Sequence, residues 1–421
     1  MLPFNYTTFK PRIFYGWYIL AASGVILFFN SGARLTIGIM FKPMITEFGW
    51  NRSTLSFAFF LNMVFYAISL TIVGKIYDRY GPKWVIIIST LLLTSGYIGI
   101  SFCHTIWQFL FFFGIVSAIG LSGTSVPLFA ALTSKWFAKG RGLAISLALS
   151  GGCLGQFALV PLFTAFVLRF GWRASYFWIA LIMLCINVII ALFIVKGDPD
   201  ALGLKPFGSE PQGRIDLKQD TPFPDSSCKD LGLKEAMRTP SFWLFTIVMF
   251  VCGSGDFLVT THLIPFVTDQ GVSAVTAGNM LAWFGLMSLV GILIAGPISD
   301  LIGNKIPITL TFSLRVLLFL LILRYQTLIS FYIFSLLFGL TFLITAPITP
   351  TLIGKLYGLS HVGILSGFIT TIHHLGGGMW AYLGGVIFDR TNNYQLAFML
   401  SAITAFIAFI CSVFIKEKRH G

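Results

Sequence analysis

Gly74-Lys-Ile-Tyr-Asp78-Arg79-Tyr-Gly81-Pro-Lys83 lies between two long apolar runs, and 222 positions on (78 to 300) its frame returns as Gly296-Pro-Ile-Ser-Asp300-Leu-Ile-Gly303-Asn-Lys305. The spacing holds well outside this loop. Thr46 maps onto Thr268, Gly49 onto Gly271, and Trp172-Arg-Ala-Ser-Tyr176 onto Tyr394-Gln-Leu-Ala-Phe398 at the same offset. Pro127 maps onto Pro347 at 220. Self-similarity at a fixed period marks a duplicated structural unit. The chain therefore reads as two halves with one ground plan.

What separates the repeated loops sets the class. Hydrophobic residues make up 56% of the chain, charged residues only 10%, and mean hydropathy is +0.87. An ordinary soluble chain carries about 25% charge. Apolar runs long enough to cross a hydrocarbon core of about 30 Å recur from end to end. A lipid-exposed backbone must satisfy its own hydrogen bonds, which requires helices here, since the short alternating segments of a barrel are absent. Twelve spans are expected, near 14–41, 53–77, 84–103, 106–132, 142–168, 173–195, 241–267, 274–299, 306–325, 329–353, 362–388 and 394–415. The fold class is thus all-α integral membrane, twelve transmembrane helices in two pseudo-symmetric six-helix bundles with both termini cytoplasmic. Six spans return the chain to its starting side, so the repeat is parallel, and a substrate site is expected near midplane between the halves.

Charge agrees with that topology. Of 28 Lys and Arg, 20 fall on the expected inner loops and tails, six on the outer side, and Arg34 and Arg315 within the membrane. This is the positive-inside pattern, and it accounts for the net charge of +13 by contact with lipid headgroups rather than nucleic acid. The longest polar stretch, 196–240, reads as a partly disordered cytoplasmic linker between an N-terminal bundle (1–195) and a C-terminal bundle (241–421). Its end, Leu231-Gly-Leu-Lys-Glu-Ala-Met-Arg238, suits a short interfacial helix. The first apolar run is full-length, which argues against a cleavable signal peptide. The six cysteines are scattered, with no disulfide framework or metal-ligand spacing.

The twin Gly-x-x-x-Asp-x-x-Gly loops resemble those of the major facilitator superfamily. That resemblance implies gating. Gly74, Gly81, Gly296 and Gly303 allow tight turns and close helix approach, while Asp78 and Asp300 cap a helix N-terminus or pair with an arginine such as Arg79. Further stretches are similar to the monocarboxylate transporters and their bacterial relatives around the oxalate:formate antiporter. They are Phe14-Tyr-Gly-Trp-Tyr18, Glu47-Phe-Gly-Trp-Asn-Arg-Ser53, Leu233-Lys-Glu-Ala-Met-Arg-Thr-Pro-Ser-Phe-Trp243 and His262-Leu-Ile-Pro-Phe266. This likeness implies transport of small organic anions, coupled to protons or to a counter-anion. The chain departs from that branch at two cations. Ile292 stands where such proteins carry a span 8 arginine, and Ile369 where the antiporter carries a span 11 lysine. Dicarboxylate exchange by a two-cation clamp is thereby disfavoured.

Arg34 falls close to a span 1 lysine of the mammalian carriers and could replace it, a guanidinium being a carboxylate fork that keeps its charge. Its repeat mate is Asp256, at the same offset of 222. An ionisable group in a bilayer costs about 3 kcal/mol or more unless paired or wetted. The expectation is that Arg34 and Asp256 neutralise each other across the seam, and that a proton on Asp256 frees Arg34 for a carboxylate. A fixed structural ion pair is the competing reading. Arg315, with no acidic partner evident in sequence, is expected to snorkel or make an inter-helix contact. Candidate cavity groups are Asn30, Asn62, Tyr66, Thr124, Ser125, Gln156, Thr260, Thr345, Tyr382 and the adjacent His373 and His374, with helix–helix hydrogen bonding the alternative for each. A histidine there suits a proton carrier, and His262 suits an outer vestibule or an interface.

The function expected is secondary active transport of a small organic anion, a monocarboxylate, by proton symport, with no cofactor or metal, in a bacterial plasma membrane and as a monomer. Proton-coupled export of another amphipathic solute and a non-transporting membrane sensor are the alternatives. No nucleotide loop, metal cluster or nucleophile–base arrangement suggests an enzyme.

Overall fold

The computed structural model describes residues 13–34, 37–209, 231–358 and 361–417. Residues 210–230, where linker disorder was expected, lie outside them.

Ten helices among the described residues have the length and hydropathy to cross a membrane. One of them, Arg141–Phe193, turns at Gly171 (φ 80°) and is two spans. Val362–Thr391 supplies the remaining one, so the twelve expected spans are all present. Span 1 comprises Gly16–Arg34 and Ile37–Phe48. Span 2 is Arg52–Tyr80, span 3 Pro82–Ser101, and spans 5 and 6 are the two limbs of Arg141–Phe193. Span 4 runs from Ile106 to Trp136 through a π-helical stretch at Leu110–Val116 and a break at 123–125. Spans 7, 8 and 9 are Pro240–Asp269, Ala274–Ile302 and Lys305–Arg324. Span 10 breaks between Leu328–Phe342 and Thr345–Tyr357, span 11 is Val362–Thr391 and span 12 Gln395–Phe414.

The halves turn at matching places. Gly49 and Gly271, Gly81 and Gly303, Gly140 and Gly358, and Gly171 and Asn392 all adopt positive φ, between 56° and 84°, at corresponding span junctions. Glycine meets that requirement without a Cβ penalty, and asparagine is the usual substitute.

Two seams join the halves, span 2 against span 11 and span 5 against span 8. Small residues make both. A Cβ on Gly378 would meet Met63 Cβ at 2.9 Å, and one on Gly285 would meet Gln156 Cγ at 2.7 Å. Without a hydrophobic force between helices in lipid, such close approach supplies the packing contacts. Within the C-terminal half, spans 7 and 11 touch backbone to backbone, since a Cβ on Gly253 would fall 1.8 Å from the His373 carbonyl oxygen. The short helix before span 7 covers Leu233–Ala236, within the stretch expected to be helical.

Candidate functional site

Arg34 ends the helix Gly16–Arg34, where a cation complements the negative pole of the helix dipole. Its guanidinium lies at the seam between the halves. Nη2 is 3.1 Å from Met63 Sδ, and the guanidinium carbon is 4.9 Å from the Tyr66 ring centre and 5.4 Å from that of Phe257. Nε is buried without a hydrogen-bond partner, and no carboxylate lies within 4 Å of the group among the described residues. A ring attracts a cation by about 0.5–2 kcal/mol. That falls short of the desolvation cost of a lone charge at this depth. The group is one anion short of neutrality.

His374 completes this cluster from span 11. Its ring centre is 4.9 Å from Tyr66 and 5.7 Å from Phe257. Its Nδ1–H donates to the Thr370 carbonyl at 2.8 Å, which leaves Nε2 with a free lone pair. Spans 1 and 2 thus meet spans 7 and 11 around a single cation.

Asp256 does not pair with Arg34. Its Oδ1 lies 2.7 Å from Arg315 Nη2, with the two side chains 2% and 1% exposed. Arg315 also donates from Nε to Thr341 Oγ1, from Nη2 to the Thr341 carbonyl and from Nη1 to the Cys252 carbonyl. The contact with Asp256 is one of charge and proximity, as Oδ1 has no well-aligned hydrogen-bond donor. Oδ2 faces His373 Nε2 at 3.3 Å and Cys252 Sγ at 3.5 Å. The expected Arg34–Asp256 pair is therefore replaced by an ion pair inside the C-terminal half, and Arg315 makes the inter-helix contact that was one of its two expected roles, with Asp256 as its acid. Helix rotation is the cause. Neighbours on a helix are about 100° apart, and span 7 turns Phe257 to the seam and Asp256 toward spans 9 and 11.

Cys252, Asp256 and His373 bring one potential ligand atom each within 4.8 Å, a grouping their sequence spacing did not suggest. A guanidinium already supplies the positive charge there, 2.7 Å from Asp256 and 3.6 Å from Cys252 Sγ. The cluster is arranged as an arginine site.

The other candidates divide by half. Asn30 donates toward the Thr124 carbonyl and accepts from Asn187, while Asn62 donates to the Phe113 carbonyl and Ser117. Thr124 bonds the Leu121 carbonyl, and Ser125 Oγ is buried with no hydrogen-bond partner among the described residues. Thr260 bonds the Asp256 carbonyl of its own helix, and Thr345 Oγ1 lies 3.6 Å from Cys252 Sγ. Tyr382 packs on Phe57 and Phe60 at the span 2–11 seam. Of these candidates Tyr66 touches Arg34 and His374 packs on Tyr66, while Met63 and Phe257, which also touch Arg34, carried no polar signal in sequence.

The hydrogen bonds and ion pairs that join described residues of the two halves concentrate at the end away from the termini. Arg52 Nη1 lies 2.7 Å from Asp269 Oδ2 and donates to Tyr394 OH at 2.8 Å, and its guanidinium carbon sits 3.6 Å from the Phe388 ring centre. The first amides of span 2, of Arg52 and Ser53, donate to the Asp389 carboxylate, an acid at the helix N-terminus supplied by the other half. Lys42 adds a 2.8 Å contact to Asp269. Beneath this, His262 is fully buried, with ring nitrogens 3.0 Å from Tyr394 OH and 2.7 Å from the Ala381 carbonyl oxygen. The usable signal was Asp269 itself, which mirrors Glu47 at the end of the first span of each half.

Residues 23–281 and 247–421 match the profile of the Major Facilitator Superfamily, and together they cover nearly the whole sequence. The chain belongs to the major facilitator superfamily. Relatives in the superfamily include an uncharacterized MFS-type transporter, YcxA, of Bacillus subtilis (strain 168), 24% identical over 98% of this chain and 99% of its own. Monocarboxylate transporter 13 of Rattus norvegicus is 23% identical over 92% of this chain and 86% of its own, and the oxalate:formate antiporter of Oxalobacter formigenes is 22% identical over 96% and 92%. The fold is that of a bacterial homologue of the human lysosomal transporter Spinster, solved in an inward-facing and unoccupied conformation (TM-score 0.73, 15% identity, 98% of this chain and 99% of that one).

The superfamily loops are not latched. Asp78, Arg79 and Asp300 are exposed, and none of them forms an ion pair among the described residues. Gly74 and Gly296 have no atom within 4 Å of a built Cβ, so they provide no close approach in this state. The turns do depend on Gly81 and Gly303, at φ 78° and 84°. The hydrogen bonds and ion pairs that tie described residues of the two halves thus cluster at the end away from the superfamily loops.

Proposed function

We propose that the protein is a secondary carrier of a small monocarboxylate, moved together with a proton by alternating access of two halves (1–195 and 241–421) joined by the 196–240 linker. The observation that carries this is Arg34, a seam cation without a carboxylate partner among the described residues, flanked by rings from both halves. A bound carboxylate forms charge-assisted bonds with its fork and neutralises it. One cation suits one carboxylate. Ile292 and Ile369, at the family's other cation positions, are buried at 2% and 0% exposure. The relatives named as monocarboxylate and oxalate:formate carriers support the same substrate class. Positive-inside charge supports a cytoplasmic position for the end with the superfamily loops, in a bacterial plasma membrane, and all the groups invoked belong to a single chain.

The proton follows from electrostatics. While Arg34 is bare, its field opposes a second positive charge on the nearby histidines. An anion masks that field, so anion and proton each favour the other's binding, and by linkage the coupling is reciprocal. The test is uptake of labelled short-chain monocarboxylates into proteoliposomes, with and without a pH gradient, for the wild type and Arg34→Gln. Loss of a charged hydrogen-bonding partner removes about 1.5–3 kcal/mol, or roughly 10- to 150-fold in affinity. Transport of cationic or neutral solutes with no monocarboxylate uptake would reject the reading in favour of an exporter of another solute class.

A further inference from the structure

Two histidines side by side on span 11 face different partners, and the Arg34 site uses only one of them. His374 stands against Tyr66 and Phe257. His373 stands on Asp256, with ring centres of the two histidines 5.2 Å apart. We infer that His373 carries the transported proton, with the Asp256–Arg315 pair as its fixed seat and His374 as the link to anion occupancy at Arg34. The inference rests on the carrier reading above.

Hydrogen-bond chemistry specifies the receiving atom. Asp256 in its ion pair only accepts, so His373 Nε2 must be the donating nitrogen. Nδ1 then holds the open lone pair. No described residue donates to it, and 16% of the side chain remains exposed. The proton adds at Nδ1, no other bond changes, and the resulting imidazolium keeps Nε2–H on the carboxylate. Asp256 need not lose Arg315 in the process.

The groups around His373 on each packed element agree with this role. From span 7 it faces Asp256 and Cys252, and span 9 contributes Arg315 behind Asp256. Its own helix contributes His374, beyond which lie Tyr66 and then Arg34 from the other half. The negative group is adjacent and the unpaired positive group lies across the seam, so the balance at His373 turns on whether an anion covers Arg34. Position is held tightly by glycine. Added Cβ atoms at Gly253 and Gly377 would fall 1.8 Å from the His373 carbonyl oxygen and 2.0 Å from the Phe257 ring.

The test separates proton-driven accumulation from anion exchange in His373→Gln, which retains a donor for Asp256. Exchange of labelled for unlabelled monocarboxylate across proteoliposomes requires no net proton movement. A one-unit pH gradient drives about tenfold accumulation by a one-to-one symporter, one decade per unit. By the linkage of anion to proton the variant should bind the anion more weakly, but at saturating monocarboxylate it is expected still to exchange while accumulating nothing above equilibrium. Accumulation at the wild-type level would overturn the inference. Absence of exchange in the wild type would instead sink the carrier reading. Should the variant lose both activities, purified wild-type protein decides the matter. Monocarboxylate added near neutral pH should draw about one proton per bound anion from a weakly buffered dye solution, and no uptake overturns the assignment.

Discussion

Asp256→Asn removes one charge from a buried pair while leaving its shape, and the consequence can be worked through from the contacts. Arg315 and Asp256 are 2.7 Å apart and almost wholly buried. Breaking such a pair by removing one partner costs about 3–5 kcal/mol, because the other charge is left uncompensated. The Thr341 and Cys252 acceptors satisfy guanidinium hydrogens but bring no charge, so the loss is coulombic and should lie near the lower end, about 3 kcal/mol. Replacing both charges is different. Uncharged substitutes for a buried pair are often neutral or stabilising by about 1–4 kcal/mol. Asp256→Asn combined with Arg315→Gln should therefore recover most of the stability lost in the single variant. The assay is thermal unfolding of the purified protein in one detergent at one pH, arranged as a double-mutant cycle, with a coupling of about 2–3 kcal/mol expected for groups in contact. Rescue of Asp256→Asn by Arg34→Gln, and not by Arg315→Gln, would restore the cross-seam pair and refute the argument. A single variant as stable as the wild type would refute it too.

Two further outcomes follow from the ends of the molecule. Arg52→Gln loses the Asp269 and Tyr394 contacts. Asp269 is about a quarter exposed, so the loss is set at about 2 kcal/mol, which shifts the balance between open and closed far ends roughly 30-fold. A cysteine introduced at Ile39, 7% exposed beneath that end, should then react faster with a charged thiol reagent, and an unchanged rate would free Arg52 of a gating role. Glu417 accepts from the Asn304 and Lys305 amides and the Asn304 side chain, and lies 3.3 Å from Lys355. Burial pushes its carboxyl up, but those donors and Lys355 together hold it below its ordinary 4.5. A depressed carboxylate contributes stability above its unfolded value that disappears as pH falls through the folded one. Glu417→Gln should cost about 1–2 kcal/mol at pH 7, as a lost helix cap does, with the difference from wild type shrinking as pH falls below the ordinary carboxyl value and gone once the folded carboxyl is protonated. A difference that persists in acid would show that the charge is not responsible.

The fold was readable because it rests on periodic and repeated signals. Span length follows from bilayer thickness, and the duplicated loops fix where each half turns. The same glycines that align at 222, such as Gly81 and Gly303, are those in the left-handed region. Arg34 was also legible, as a charge in an apolar run. Its surroundings were not. Met63 and Phe257 became parts of the site through orientation alone, and hydropathy treats them like any other core residue. The Cys252, Asp256, Arg315 and His373 grouping draws on spans 7, 9 and 11. A separation of 63 residues along the chain between Cys252 and Arg315 says nothing of contact.

The pairing error has a physical lesson that bears on mechanism. Three membrane charges, Arg34, Asp256 and Arg315, offer two cations to one acid, and symmetry favoured the repeat mates. Equivalence under a two-fold axis fixes depth and helix, but it does not fix which side of the helix faces the axis. Phe257, one position on, takes the seam. The halves are consequently unequal in charge. The N-terminal half contributes a bare cation, and the C-terminal half contributes a self-neutral ion pair with a histidine resting on it. An internally neutral seat can hold its geometry whether the carrier is empty or full. If the cargo is an anion, as proposed, the bare cation cannot be indifferent to occupancy, since its desolvation is relieved when that anion arrives. On the proposed reading anion recognition belongs to span 1 and proton binding to span 11, and the contact from Arg34 through Tyr66 to His374 is where one would report to the other.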